Sequence, residues 1–225
     1  MDAAIFDVDG TICHTRSGTS LKWLRARQQA PLPYALWVAS LAWRVPFATV
    51  VDRFSRTLTD RLVYQQYAGL SLSRVQADAQ RCCDELLLPN AFPGALAEID
   101  LHRQAGRRIV LVTGNVDLVM APLARALGAD LVAQRLVADG DRLTGEYLSY
   151  DVLGDGHDLP HGDAKAAALA LHAERTGIDL RRSTAYGDSV NDVPMLELAG
   201  TPVAVRPDAR LRRIATERGW AVRQW

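Results

Sequence analysis

Residues 3–11, AAIFDVDGT, set two aspartates one residue apart, Asp7 and Asp9, directly behind an apolar run and directly before Gly10 and Thr11. A short apolar run that ends in an acidic, glycine-containing turn reads as a buried strand. Two carboxylates that close together repel each other and lose hydration if enclosed, so they demand partners, and a cation is the simplest one.

The same grammar recurs along the chain. RRIVLVTG (107–114) and TAYGD (184–188) are Ile/Val-rich or apolar runs closed by Gly or Asp, and helical patterns lie between them. That alternation predicts an α/β fold with a mostly parallel sheet. TPVAV (201–205) and WAVRQW (220–225) supply further candidate strands. DLVAQRLVADGDRLTGEYL (130–148) alternates apolar and polar residues about Asp139-Gly140 and predicts a small β-hairpin. VDLVMAPLARALGA predicts a helix stopping at Gly128, and DVLGDGHDLPHGD predicts a loop that ends where AKAAALALHAER begins a helix.

Between Thr15 and Pro89 strand signals vanish. Helical stretches are expected near Leu21–Gln29, Tyr34–Ala68 and Leu72–Leu88, the last opened by Ser73 and Gln76 at capping-box spacing. The expected organisation is an α/β core from residues 1–14 and 92–225, with an all-helical insertion from residues 15–91.

Lys plus Arg and Asp plus Glu each number 26, so overall charge favours neither nucleic acid nor an anionic surface as the main partner. Three cysteines, two of them adjacent, and the absence of a secretory signal predict a reducing, cytoplasmic setting. The apolar stretch Tyr34–Val51 contains Arg44 and Pro46. A central Arg costs about 2.5–3.5 kcal/mol on insertion, which argues against a membrane span. A helix buried in a small bundle, or one contacting a membrane surface or an apolar substrate, remains.

In a parallel α/β sheet, residues just beyond different strands converge on one edge. Asp7, Asp9, Thr113, Lys165, Asp188 and Asp192 thereby become candidates for one pocket. Several carboxylates there suit a hard dication such as Mg²⁺, which accepts a few carboxylates while keeping waters and phosphate oxygens.

DVDGT, the VT of LVTGN, Lys165 and GDSVND resemble, in order, the four signature motifs of the haloacid dehalogenase superfamily of aspartate-dependent phosphohydrolases. The helical insertion and the β-ribbon resemble its phosphoserine phosphatase-like branch. That resemblance implies a Rossmann-like three-layer core with a helical cap, and a Mg²⁺-dependent phosphatase acting through an aspartyl-phosphate. It implies Asp7 as nucleophile and Asp9 as general acid and base, with Thr113 and Lys165 holding the phosphoryl oxygens. The metal would be held by Asp7, the Asp9 backbone carbonyl and Asp188, with Asp192 and Asn191 acting nearby. Gly10 and Thr11 suit the tight turn after the nucleophile.

Departures from the pattern bear on substrate. Arg16 stands near the position where phosphoserine phosphatases carry an acidic residue for the substrate's amine, so a phosphomonoester without that amine is expected. TGN replaces the usual small-residue-plus-Ser motif, which leaves Gly114 and Asn115 as phosphate-side contacts beside Thr113. Arg53 and Arg56 of the insertion are candidate anion contacts, against a reading as snorkelling surface residues. His157 and His161 are weaker metal candidates, because imidazole suits zinc better than Mg²⁺. The aromatic insertion (Trp23, Tyr34, Trp37, Trp43, Phe47) reads as a lid over the site or as a grip on a lipid-like substrate or membrane surface. The expected partner is a small phosphorylated substrate, with or without an apolar or lipid-like part. A phosphotransferase using the same intermediate and a catalytically silent phospholigand-binding protein remain as rivals.

Overall fold

The computed structural model describes residues 1–15, 18–52, 61–148 and 161–225. Arg16, Arg53, Arg56 and His157 lie outside the described residues. Along the chain run β1 (Ala3–Phe6), α1 (Thr19–Gln28), α2 (Pro31–Asp52), α3 (Leu72–Cys82), α4 (Pro93–Gln104) and β2 (Arg108–Val116). Then come α5 (Asp117–Ala126), β3 (Asp130–Asp139), β4 (Arg142–Leu148), α6 (His161–Thr176), β5 (Thr184–Gly187), α7 (Val193–Leu198), β6 (Thr201–Val205), α8 (Ala209–Arg218) and β7 (Ala221–Arg223).

The seven strands form one sheet in the order β4-β3-β2-β1-β5-β6-β7. Every pairing is parallel except β3 with β4, the hairpin about Asp139-Gly140. The chain leaves β1 for β2 on one side and later returns to β5 on the other, so the carboxyl end of β1 is a topological switch point, where ligands bind in such sheets.

Strand alternation divides the core in two. Ala4, Phe6, Leu111 and Tyr186 face one layer, and Ala3, Ile5, Val110 and Ala185 the other. Ala164, Ala168 and Leu169 of α6 and Leu211 of α8 cover the second face. The first face is continuous with the insertion, because Leu21, Leu24, Tyr67, Leu70 and Val75 share its core with Phe6. Each fully buried Leu, Ile or Phe contributes about 1.5–3 kcal/mol, so these two layers fix the strand ends with little play.

Three local expectations need correction. Helix α3 is capped by Ser71, whose hydroxyl accepts from the Arg74 amide at 3.2 Å, and not by Ser73. Asp141 of the hairpin accounts for this: it binds the Ser71 hydroxyl at 2.7 Å and the Ser73 amide at 2.8 Å. The helical stretch expected to Leu88 is α-helical to Cys82 and then widens into a π turn, Cys83–Leu87. Helix α6 starts at His161, so His-Gly-Asp of the expected loop forms its first turn, where Asp163 complements the helix dipole.

Helix α2 departs furthest from a buried bundle helix. Its polar groups point inward: the Arg44 guanidinium donates to Gln66 Oε1 at 2.7 Å, and the Trp37 indole to the same oxygen at 3.2 Å. Leu32, Leu36, Trp43, Val45, Phe47 and Val50 are exposed. Among the described residues no helix is long and apolar enough to cross a membrane.

Candidate active site

The site lies where β1, β2 and β5 end. Asp7 immediately follows β1, and its amide donates to the Tyr186 carbonyl of β5 at 3.0 Å, which ties the loop start to the neighbouring strand. The chain then turns sharply: the Ile12 and Cys13 amides return to the Val8 carbonyl at 2.9 and 3.0 Å. Gly10 takes φ +89°, and a Cβ there would lie 2.2 Å from Asp188 Oδ2. The turn therefore requires glycine twice over, for its backbone and for the room it leaves Asp188.

Asp188 and Asp192 follow β5 in the GDSVND segment. Gly187 lets Asp192 approach, because a Cβ there would lie 2.6 Å from Asp192 Cβ. The Asp192 carboxylate closes a capping box: its Oδ2 accepts from the Ser189 amide and hydroxyl at 3.1 Å each and from the Asp188 amide at 3.2 Å. Its Oδ1 accepts from Lys165.

Lys165 projects from the first turns of α6 and is 2% exposed. Its Nζ donates to Asp7 Oδ1 at 2.5 Å and to Asp192 Oδ1 at 2.7 Å, bridging carboxylates from two strand ends. Carboxylate oxygens of Asp7, Asp188 and Asp192 lie within 4.8 Å of one another. Such a group exceeds what one ammonium neutralises, and its all-oxygen donor set fits a hard divalent cation.

The electrostatics carry the same message. Burial, and then the charges of Asp192 and Asp188, raise the Asp7 carboxyl well above the ordinary range, against the opposing pull of Lys165. Burial and the neighbouring Asp192 push Asp188 up to about 7. Asp192 is buried too, yet the Lys165 charge and the Ser189 donors outweigh that burial and lower its pKa. Asp7 and Asp192 share one lysine but move in opposite directions because Asp192 has the extra donors of its capping box. Asp9 is also raised by burial, and the Thr15 hydroxyl on its Oδ1 at 2.5 Å partly offsets this.

These groups line a cavity of about 400 Å³, together with Gly10, Thr113, Gly114, Asn115 and Asn191. Thr113 is buried inside β2, where the pairing with β3 shifts register between Val112 and Val116, and its hydroxyl accepts from the Asn115 amide at 3.0 Å. Thr11, by contrast, is buried behind the cavity, where its carbonyl accepts from the Trp225 indole at 2.9 Å. Two cavity walls escaped the sequence reading. Tyr64 and Tyr67 line the cavity from the insertion, and the Tyr64 hydroxyl donates to the Gly114 carbonyl. Arg206 enters from the end of β6 with φ +43° and stacks over Phe92 at 4.5 Å. Its place just beyond a strand was the available signal.

Gly10→Ala tests the packing directly. Placing a side chain at positive φ against Asp188 is expected to cost about 1–3 kcal/mol. The urea midpoint should fall while the slope of the transition stays unchanged. An unchanged midpoint would mean that the turn does not need glycine.

The haloacid dehalogenase-like hydrolase family matches residues 4–197. Over 231 residues the chain is 33% identical to the phosphoserine phosphatase SerB1 of Mycobacterium tuberculosis, covering 99% of this chain and 70% of that protein. A protein of unknown function from Bordetella pertussis Tohama I superposes with a TM-score of 0.77 at 26% identity, over 98% of this chain and 97% of that one. A phospho-aspartyl intermediate analogue of phosphoserine phosphatase shares the fold, with a TM-score of 0.65 at 22% identity over 94% of this chain and 90% of that one. With its acidic cluster set at the switch point of a mostly parallel sheet and a family match across most of its length, the chain belongs to the haloacid dehalogenase-like hydrolases.

Proposed function

We propose that the chain hydrolyses a small phosphomonoester in two displacements, through an aspartyl-phosphate on Asp7, with Mg²⁺ as cofactor. The observation that carries this reading is the Lys165 ammonium clamped between Asp7 and Asp192, beside a third carboxylate, in an open cavity. Asp7, the Asp9 carbonyl and Asp188 would hold the ion, with Asp192 close by. When bound, Mg²⁺ supplies positive charge that lets an anionic substrate approach an anionic nucleophile.

The remaining steps belong to the protein. Lys165 fixes the Asp7 carboxylate, one of whose oxygens attacks phosphorus while the ester P–O bond breaks. Asp9, whose carboxyl pKa burial raises, gives its proton to the leaving alkoxide. It then takes a proton from the water that attacks the acyl phosphate, which regenerates the Asp7 carboxylate and frees phosphate. Thr113, Lys165 and the Gly114–Asn115 segment stabilise the phosphoryl oxygens as charge shifts among them. Residues 15–91 act as a cap whose Tyr64 and Tyr67 accommodate an apolar or lipid-like part of the substrate.

A panel of phosphorylated metabolites, assayed with Mg²⁺ and with excess chelator, tests the reading. Phosphate release is expected only with Mg²⁺, with phosphoserine a poor substrate because the sequence has Arg16 near the position where the resembled branch carries an acidic residue. Phosphoryl transfer to a second alcohol without phosphate release would make the protein a phosphotransferase. A folded protein inert across the panel would make it a silent binding module.

A further inference from the structure

Helix α2 is apolar on the side that faces away from the body, where a surface helix of a globular protein is normally polar. At about 100° per residue, Tyr34, Trp37, Ser40, Leu41 and Arg44 fall on one side of the helix, and each is half-buried against the body. Leu32, Leu36, Trp43, Val45, Phe47 and Val50 spread over roughly the opposite half of the circumference, and Trp43 is 61% exposed. Arg44, the helix's one basic residue, is spent on Gln66 inside. Over its 22 residues the helix extends about 33 Å, so this is a contiguous apolar surface rather than scattered side chains.

We infer that this outward face of α2 docks the protein on an anionic lipid surface, lying in the interface plane. Two observations favour lipid over a second copy of the chain. The apolar arc is about half the helix wide, whereas helix pairing uses a narrow seam flanked by charged residues that set the partner and register. Acyl chains and headgroups can surround such an arc, and Trp43 belongs to the residue type that favours the membrane–water boundary. The charge of the surrounding sequence is also complementary: leaving out Arg44 and Arg25, which are turned inward, residues 16–61 carry six Lys or Arg and two Asp, in a chain whose total charge balances. A basic segment around an apolar helix is drawn to the negative potential of an anionic leaflet. Gln66, which anchors α2, lies between the cavity-lining Tyr64 and Tyr67, so the docked helix is one residue away from the cavity wall.

Co-sedimentation of the full chain with large unilamellar vesicles provides the test, using phosphatidylcholine alone and phosphatidylcholine with one-quarter phosphatidylglycerol. The wild type should pellet with the anionic vesicles, less so as salt rises, and at least tenfold less with the neutral ones. The combined variant Leu36→Glu, Trp43→Glu, Phe47→Glu should lose at least tenfold in partitioning while hydrolysing p-nitrophenyl phosphate as the wild type does. Since these side chains are exposed, its circular dichroism should match the wild type. As a second readout, acyl chains brominated near the headgroup should quench the wild type more than Trp43→Phe. A wild type that stays in the supernatant with both vesicle types would overturn the inference. So would a variant that binds equally well, or a wild-type dimer that the variant dissociates without any vesicle binding.

Discussion

Asp7→Asn is expected to lower kcat by at least about 10³-fold while leaving the protein folded, because the substitution keeps the shape of the side chain and removes the attacking charge. That loss corresponds to about 4 kcal/mol of transition-state stabilisation. The thermal midpoint should change far less than activity, since Lys165 keeps Asp192 as a partner at 2.7 Å. Steady-state hydrolysis of p-nitrophenyl phosphate with Mg²⁺, paired with a thermal melt, reads both quantities. A variant that kept a tenth of wild-type kcat would show that another group attacks phosphorus.

Removing the lysine should damage stability as well as activity. Lys165→Ala leaves Asp7 and Asp192 facing each other in a buried site without their shared ammonium, and breaking a buried pair in this way costs about 3–5 kcal/mol. For a chain of this size that is a fall in midpoint of about 6–20 °C. The deficit has a definite pH dependence. Without Lys165 both carboxyl pKa values in the folded state move up, so the folded variant binds more protons than its unfolded chain below those values. Its stability therefore falls as pH rises through them, and the deficit against wild type should be largest at neutral pH and smaller near pH 5. Lys165→Met, which refills much of the volume, should show the same pH trend with a smaller packing loss. Melts of both variants from pH 5 to 8 decide the matter, and a deficit independent of pH would mean that lost packing, not charge, was responsible.

Much of this site was legible in the sequence because Asp7 and Asp188 directly follow strands, and Thr113 lies near the end of one, whose composition and punctuation are strong. AAIF, RIVLVT and TAYG need no tertiary information to be recognised as buried strands, and parallel pairing then collects Asp7, Thr113 and Asp188 at one edge. The cap of α3 was not legible, since Ser71 is selected over Ser73 by Asp141, which is distant in sequence. Tyr64 and Tyr67 likewise reach the cavity through packing of the insertion, which no local pattern encodes. Helix α2 shows the sharpest limit. Its hydrophobicity was plain, but composition alone does not say whether an apolar helix turns its face toward the core or away from it.

The Trp225 indole donates to the Thr11 carbonyl and lies tilted at 42° to the Tyr186 ring, centroids 5.7 Å apart, so a residue 214 positions away in the chain braces the loop that carries the nucleophile. Replacing this one aromatic residue by alanine would therefore slacken the reaction centre while sparing every group that touches substrate, so turnover would fall although no catalytic side chain had changed.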